Sequence, residues 1–195
     1  MIDIPCIIFA GGKSSRMGRD KALLPFSSSK TLTEYQLRRL EKLFSSVYIS
    51  CKEKKKFQFE AHFIEDIDSN TVYAPTAGFL AVYQTLNVER FFVLSVDTPF
   101  VTQEEIEKLI EMDNPSYDAT IAISDEGLQP LCGIYHRSLE KEFQKMFEQN
   151  NHKLGFLLKE SKTNSVKFTS KRFMNLNFED EYKKALDLVE KKEII

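Results

Sequence analysis

Residues 10–21 carry the clearest chemical signal in this sequence, with the letters AGGKSSRMGRDK. Gly11 and Gly12 allow the backbone to come close to an anion and to turn its amides toward it. Arg16 offers a planar pair of donors to phosphate oxygens, and Lys21 adds a mobile positive charge. The letters match neither a Walker A loop nor a G-x-G-x-x-G dinucleotide loop. The segment therefore predicts a phosphate-binding loop of another kind, with an ordinary connection carrying solvated bases as the alternative.

Asp97 is the first candidate for binding a metal ion. It directly follows FFVLSV, an apolar run that predicts a buried strand, and it lies two residues before Pro99. A carboxylate at the end of such a strand is well placed to bind Mg²⁺ beside nucleotide phosphates, although the same spacing also fits a plain turn. The three histidines and three cysteines have no zinc-binding spacing. Any metal is therefore expected to have oxygen ligands.

Strands that alternate with helices are predicted to position these residues. Short apolar runs rich in β-branched and aromatic residues predict strands at 5–10, 47–51, 62–66, 91–96, 119–123 and 131–135. Capping residues and three-to-four spacing predict helices at 31–45, 78–86, 102–112, 138–149, 154–158 and beyond residue 178. The alternation predicts an α/β sandwich with a mainly parallel sheet, whose ligands bind beyond the carboxyl ends of the strands. The basic run at 52–56 is interpreted as a solvated surface without a site.

Composition and charge limit the kinds of protein that this chain can be. With 195 residues, 42% of them hydrophobic, the chain predicts one compact domain over residues 1–195. The net charge of −2 and the isoelectric point near 6.0 give no general attraction to nucleic acid or to an anionic membrane. Three widely spaced cysteines favour a reducing, cytoplasmic compartment. The apolar run at 4–10 is too short to cross a membrane and lacks the basic flank of a signal peptide.

Six short motifs in the order AGG-KSS-RMG-RDK, FIED, PTAGF, VDTPF, QPL and NLN resemble those of one family. This family is the molybdenum cofactor guanylyltransferase (MobA-type) family, within the nucleotidyltransferase superfamily. The motifs span nearly the whole chain, and the first is the most specific because of its place after the first strand. The resemblance implies a three-layer α/β sandwich, with helices on both faces of a mainly parallel, Rossmann-like sheet of the nucleotide-diphospho-sugar transferase type.

The resemblance also implies an activity. An enzyme of this family binds GTP and Mg²⁺, and the terminal phosphate of molybdopterin attacks the α-phosphorus and displaces pyrophosphate. Such a transfer needs orientation and charge neutralisation more than a reactive side chain, which agrees with the lack of any Ser–His or Cys–His constellation in the sequence. A monomer is expected, and contact with the molybdoenzyme apoproteins that receive the finished cofactor is implied.

The residues at matching positions receive roles through the resemblance. Arg16, Lys21 and Asp97 are expected to be catalytic, and Asp97 with Asn177 is expected to bind the metal ion. The nucleotide is expected to contact Phe9, Ala10, Gly11, Gly12, Lys21, Asp66, Gly78 and Asp97. From the residues alone, Asp66 also suits a turn at a strand end, Gly78 the entry to a helix, and Asn177 the cap of the last helix.

Departures from the family pattern leave other functions open. Phe9, Ser50, Ala74 and Phe178 stand where members often have Leu, Asn, Gly and Thr. Related cytidylyltransferases commonly read A-A-G where this chain reads A-G-G, and the second glycine leaves room for a purine. A sugar-1-phosphate nucleotidyltransferase is a further alternative, although these enzymes usually have a longer chain. A catalytically silent nucleotide-binding module or molybdoenzyme chaperone would be expected to lack residues such as Lys21, which is present.

Overall fold

A seven-stranded sheet forms the centre of the protein in the computed structural model, which describes residues 1–11, 18–67, 75–168 and 171–191. The strands are Cys6–Phe9 (β1), Val47–Cys51 (β2), His62–Glu65 (β3), Arg90–Ser95 (β4), Ala119–Ser124 (β5), Gly127–His136 (β6) and Thr163–Lys167 (β7). The α-helices are Leu32–Leu40 (α1), Pro75–Thr85 (α2), Gln103–Met112 (α3), Glu140–Glu148 (α4), Leu154–Glu160 (α5) and Glu179–Glu190 (α6). Single turns of 3₁₀ helix occupy Lys21–Leu23, Lys54–Lys56, Arg137–Leu139 and Lys171–Phe173. No helix within the described ranges combines the length and the apolar character needed to cross a membrane.

The order of the strands places β1 next to β4. Across the sheet the order is β3-β2-β1-β4-β6-β5-β7. β1 runs parallel to both β2 and β4, β2 runs parallel to β3, and β5 runs parallel to β7. β6 is antiparallel to β4 and β5. The predicted mainly parallel α/β sheet is confirmed, and its strand order reverses between β1 and β4, at whose carboxyl ends sheets of this kind bind their ligands.

Two apolar layers, one on each face of the sheet, hold the helices against it. The alternating side chains of β1 show the division, because Cys6 and Ile8 lie in the first layer while Ile7 and Phe9 lie in the second. The first layer also contains side chains of α1, α3 and α6, and the second contains side chains of α2, α4 and α5. The three-layer sandwich is therefore confirmed. All four residues of β1 are buried, which explains the continuous apolar sequence of this central strand.

The predicted capping residues mark the start of α1 and α3. Thr31 Oγ1 accepts a hydrogen bond from the Glu34 amide at 3.0 Å, and α1 begins at the residue after Thr31. The Glu105 carboxylate accepts a hydrogen bond from the Thr102 amide at 2.8 Å, and α3 begins one residue after Thr102. These bonds satisfy amides that have no partner inside a helix. Short polar motifs thus determine both helix starts.

Two strands in the half of the sheet beyond β4, namely β6 and β7, differ from the prediction. β6 begins at Gly127 instead of near residue 131, because its first residues pair with β5 across a tight hairpin that has a register shift between Ile121 and Ala122. β7 has no apolar run in the sequence and is absent from the prediction. It lies at the edge of the sheet, and of its five residues only Val166 is buried. Its polar sequence TNSVK follows from this edge position.

Candidate functional site

Lys21, Asp97 and Asn177 meet beside the carboxyl end of β4. Lys21 Nζ lies 2.6 Å from Asp97 Oδ2 and 2.9 Å from Asn177 Oδ1, so one ammonium group donates to both oxygens. The side chains of Lys21 and Asp97 are 17% and 15% exposed. Charge-assisted hydrogen bonds are strong where water is partly excluded. The fold thus brings together three residues with predicted roles, although Lys21 lies 76 residues from Asp97 and 156 residues from Asn177.

The turn that carries Asp97 is held from several sides. Ser95 Oγ donates to Asp97 Oδ1 at 2.6 Å, and the Thr98 amide donates to the Ser95 carbonyl at 3.3 Å. The Leu176 amide donates to the Asp97 carbonyl at 3.0 Å and ties the segment before α6 to this turn. That bond explains how Asn177 comes to lie beside Asp97. The carboxylate has a fixed orientation, because each of its oxygens accepts a hydrogen bond.

Gln36 supports the same turn and is missed by the sequence prediction. Its fully buried side chain lies on α1, and its amide nitrogen donates to the carbonyls of Ser95, Val96 and Thr98 at 3.4, 3.3 and 3.2 Å. Arg39 Nε donates to the amide oxygen of Gln36 at 2.6 Å and so orients the amide. A polar residue on the apolar face of a predicted helix is the signal that could have found it, because a buried amide needs partners.

Asn177 lies just before α6 and does not cap it. The cap position is Phe178, whose amide donates to Glu181 Oε2 at 2.9 Å. The Asn177 amide donates to the same oxygen at 2.6 Å, which fixes the backbone. The Asn177 side chain is directed to Lys21 instead. The alternative role of Asn177 as the cap of the last helix is therefore not the one that this structure shows.

Asp66, Gly11 and Gly78 form a second cluster near the ends of β1 and β3. Ser50 Oγ donates to Asp66 Oδ1 at 3.3 Å. A Cβ atom placed on Gly78 would lie 3.2 Å from Asp66 Oδ1, and one placed on Gly11 would lie 3.6 Å from Asp66 Oδ2, so both backbones come close to this carboxylate. Burial raises the pKa of Asp66, and the hydrogen bond from Ser50 counters that rise only in part. A partly buried carboxyl group of this kind is a suitable hydrogen-bonding partner for the N–H groups of a ligand.

The structure describes the predicted phosphate-binding loop, residues 10–21, at its two ends, and this loop is called the glycine-rich segment below. Gly12 and Arg16, which the sequence predicts to bind phosphate, lie outside the described residues. At the first end, the Phe9 carbonyl accepts a hydrogen bond at 3.0 Å from the residue that follows β4. The Ala10 amide donates to the Ser50 carbonyl at 2.9 Å. The Phe9 carbonyl and the Ala10 amide are therefore hydrogen-bonded within the protein, and the predicted nucleotide contacts of these two residues stay predictions.

Lys56 joins the two ends of this segment and is a further residue that sequence reasoning misses. Its ammonium group lies 2.7 Å from Asp20 Oδ2 and 3.3 Å from the Ala10 carbonyl oxygen. Lys54 and Lys55 of the same basic run are exposed, as a solvated surface requires, but the Lys56 side chain is only 22% exposed. The interpretation of this run is therefore wrong for Lys56. Its place after β2, at the same edge of the sheet as the site, is the signal that could have found it.

A cavity of about 390 Å³ opens beside Asp97 and Asn177. Its walls come from the start of β6 and from the segment before α6, and they include Glu126, Gln129 and Asn175. The QPL motif, residues 129–131, lies on this wall. The volume is in the range of small-molecule sites. The cavity therefore has room for a small molecule next to Asp97.

The oxygens around Lys21 suit a hard cation. Asp97 and Asn177 each direct one oxygen at the same positively charged group. Carboxylate and amide oxygens are suitable ligands for Mg²⁺, which usually keeps water or phosphate oxygens in its other positions. In the part of the chain that the structure describes, no group of three or more His, Cys, Asp or Glu side chains could hold a metal ion. A cation bound by Asp97 and Asn177 would therefore complete its shell with a ligand or water.

Replacing Gly78 with alanine is expected to disturb the Asp66 cluster. The new Cβ would lie 2.7 Å from Ser50 Oγ and 2.8 Å from Phe9 Cε1, so the neighbours would have to shift. Overpacking of this kind costs about 1–3 kcal/mol, which urea unfolding should detect. Gly155 is the matched control, because a Cβ there meets nothing within 4 Å and Gly155→Ala should not destabilise the fold. Equal unfolding free energies for the two variants would contradict the close packing at Gly78.

The sequence is similar to known proteins over nearly its full length. Residues 6–165 match the family described as MobA-like NTP transferase domain. A molybdenum cofactor guanylyltransferase of Campylobacter jejuni subsp. doylei is 40% identical over 185 residues, which cover 93% of this chain and 95% of the relative. Another, of Helicobacter pylori, is 31% identical over 196 residues, which cover 97% of this chain and 95% of the relative.

A solved structure shares the fold. The molybdopterin-guanine dinucleotide biosynthesis protein A of Archaeoglobus fulgidus superposes with a TM-score of 0.81 at 24% identity. The superposition covers 96% of this chain and 100% of the other. The α/β sandwich described above is therefore the nucleotidyltransferase fold, of the nucleotide-diphospho-sugar transferase type.

Proposed function

Because this chain belongs to the MobA-like NTP transferase family, we propose that it transfers GMP from GTP to the terminal phosphate of molybdopterin and releases pyrophosphate. The product is the guanine dinucleotide form of the molybdenum cofactor. The relatives from C. jejuni and H. pylori, named as molybdenum cofactor guanylyltransferases, support this reaction. The structural observation that carries it is the convergence of Asp97 and Asn177 on the Lys21 ammonium group, at 2.6 and 2.9 Å.

GTP would lie across the carboxyl ends of β1, β3 and β4. Its guanosine part would meet the cluster around Asp66, where the carboxylate can accept hydrogen bonds and Gly11 has no side chain to obstruct the nucleoside. Gly78 would contribute by allowing close packing against Ser50 and Phe9. Its phosphates would extend toward Lys21. The backbone at Gly12 and the guanidinium of Arg16 would add further donors to the phosphates from the glycine-rich segment.

The reaction forms one phosphoanhydride bond and breaks another. An oxygen of the acceptor's terminal phosphate attacks the α-phosphorus of GTP in line. The bond from the α-phosphorus to the bridging oxygen breaks, and pyrophosphate leaves with the electron pair. The attacking phosphate is already an anion, so no general base is required. Lys21 and Arg16 would neutralise the charge that develops on the leaving group.

Asp97 and Asn177 would hold a divalent cation, for which we infer Mg²⁺. When bound there, the cation withdraws negative charge from the phosphates. Ser95 Oγ, 2.6 Å from Asp97 Oδ1, orients the carboxylate before any ligand arrives. Lys21 now donates to both of these side chains, and its flexible four-carbon stem would let it share its charge with the phosphates.

The acceptor would occupy the cavity of about 390 Å³ beside Asp97. We infer that residues 1–195 act as one nucleotidyltransferase domain and as a monomer. The three cysteines of the chain are buried free thiols, which suits the reducing cytoplasm. A molybdoenzyme apoprotein would receive the finished cofactor.

Pyrophosphate release from GTP and from CTP tests this function. Release is expected from GTP in preference to CTP, and only when both Mg²⁺ and molybdopterin are present. A preference for CTP would make the protein a cytidylyltransferase with the same mechanism. Binding of GTP without release would indicate a silent nucleotide-binding module, and release from neither nucleotide would contradict the proposed transfer.

A further inference from the structure

Lys56 differs from the rest of its basic run in position and in partners. The 3₁₀ turn to which it belongs follows β2, whose carboxyl end lies beside that of β1. Lys56 Nζ donates to the Ala10 carbonyl oxygen at 3.3 Å and to Asp20 Oδ2 at 2.7 Å. Ala10 directly precedes the first glycine of the glycine-rich segment, and Asp20 directly precedes Lys21. One ammonium group therefore connects the beginning and the end of this segment.

Asp20 links Lys56 to the turn that contains Lys21. Its other carboxylate oxygen, Oδ1, accepts a hydrogen bond from the Ala22 amide at 3.0 Å and so caps the 3₁₀ turn that contains Lys21. Thr33 Oγ1 donates to the Ala22 carbonyl at 2.8 Å, which fixes that turn against α1. Asp20 thus holds the turn with one oxygen and the Lys56 ammonium group with the other.

The pair of Lys56 and Asp20 is better sheltered than a neighbouring ion pair. The Lys56 and Asp20 side chains are 22% and 37% exposed at a separation of 2.7 Å. Those of Lys54 and Glu65 are 61% and 44% exposed at a separation of 3.9 Å. The Lys56 ammonium group also lies 5.0 Å from the centroid of the Phe57 ring. Water and salt therefore screen the contact to Asp20 less than they screen an exposed pair.

We propose that Lys56 is a positioning residue for the nucleotide, which holds the two ends of the glycine-rich segment together and, through Asp20, sets the position of Lys21. This rests on the proposed function, in which the segment and Lys21 bind the phosphates of GTP. A phosphate-binding group that is already held in position loses less freedom when a ligand binds, so preorganisation of Lys21 raises the affinity. Loss of Lys56 should therefore weaken GTP binding more than it slows the transfer.

The test compares Lys56→Met with Lys55→Met, which removes the same charge from an exposed neighbour. Lys56→Met is expected to raise the Kd of GTP with Mg²⁺, and the KM for GTP, by about tenfold, with a smaller change in kcat. Lys55→Met is expected to change neither constant. Lys56→Arg keeps a charged donor and should recover most of the affinity. The unfolding temperature of each variant is measured beside these constants, because a general loss of structure would lower kcat and stability together.

A double variant separates positioning from direct contact between Lys56 and phosphate. If Lys56 acts through Asp20, the variant Lys56→Met/Asp20→Asn should bind GTP no more weakly than the weaker of the two single variants. Losses that multiply would overturn the inference, as would equal GTP affinities for Lys56→Met and Lys55→Met, and both results would leave the proposed function intact. Failure of the unaltered protein to bind GTP would overturn the inference and the proposed function together.

Discussion

Replacing Asp97 with alanine is expected to lower the rate of pyrophosphate release from GTP by about a thousandfold or more. The change removes the carboxylate oxygen that lies 2.6 Å from Lys21 Nζ, and with it the charged ligand of the proposed cation site. Asn177 offers a neutral oxygen and would hold a divalent cation weakly by itself. The measurement is the Mg²⁺-dependent rate at saturating GTP and molybdopterin.

The Asp97→Ala protein is expected to fold. The turn around residue 97 keeps its backbone bonds to Gln36 and Leu176, which do not depend on the lost side chain. Its unfolding free energy should therefore change by less than about 2 kcal/mol. Asp187→Ala, at an exposed position on α6, is the control and should keep full activity. Normal turnover by a folded Asp97→Ala protein would show that Asp97 is not catalytic.

Replacing Asp113 with asparagine is expected to destabilise the protein by about 3 kcal/mol, without a direct effect on the chemistry. This fully buried side chain follows α3 and pairs with Arg90 at the start of β4. Asp97 lies at the other end of the same strand. It accepts hydrogen bonds from His136 Nε2 at 3.0 Å and from Thr120 Oγ1 at 2.7 Å. An anion at a helix C-terminus is unfavourable by itself, so these partners are what stabilise it. Urea unfolding at neutral pH would measure the loss.

The Asp113 carboxylate also makes the unfolding free energy depend on pH. Burial by itself would raise the pKa of Asp113. Hydrogen bonds from His136, Thr120 and Arg90 more than offset that effect and hold the pKa below its ordinary value. Since the folded pKa lies below the unfolded value of about 3.9, the ionised carboxylate stabilises the fold above about pH 4, and this contribution is lost as the pH falls through the folded pKa.

The difference in stability between the unaltered protein and Asp113→Asn is therefore expected to shrink as the pH is lowered from about 5 to about 2. Unfolding in urea across this range measures it. Asp3→Asn, at an exposed position, is the control and should follow the unaltered protein at every pH. A difference for Asp113→Asn that stays constant into acid would contradict a stabilising carboxylate at this position.

Most of the fold could be predicted because the signals that define its elements are local. A run of apolar residues predicts β1, and Thr31 with Glu34 predicts the start of α1, since burial on two faces and capping bonds depend on residues a few positions apart. β7 could not be predicted in this way. Its sequence is polar because it lies at the edge of the sheet, and its strand character comes from pairing with β5, a partner about forty residues away.

The sequence by itself determined the order of the elements other than β7, the family and the chemical types in the candidate site. The tertiary structure decided which of those residues meet. It brings Asn177 to Lys21 across 156 residues, places Gln36 beneath the Asp97 turn, and selects Lys56 from its basic run to join Ala10 and Asp20. The physical reason is that buried amide and ammonium groups require partners, while strand order and register determine which distant groups are within hydrogen-bonding distance.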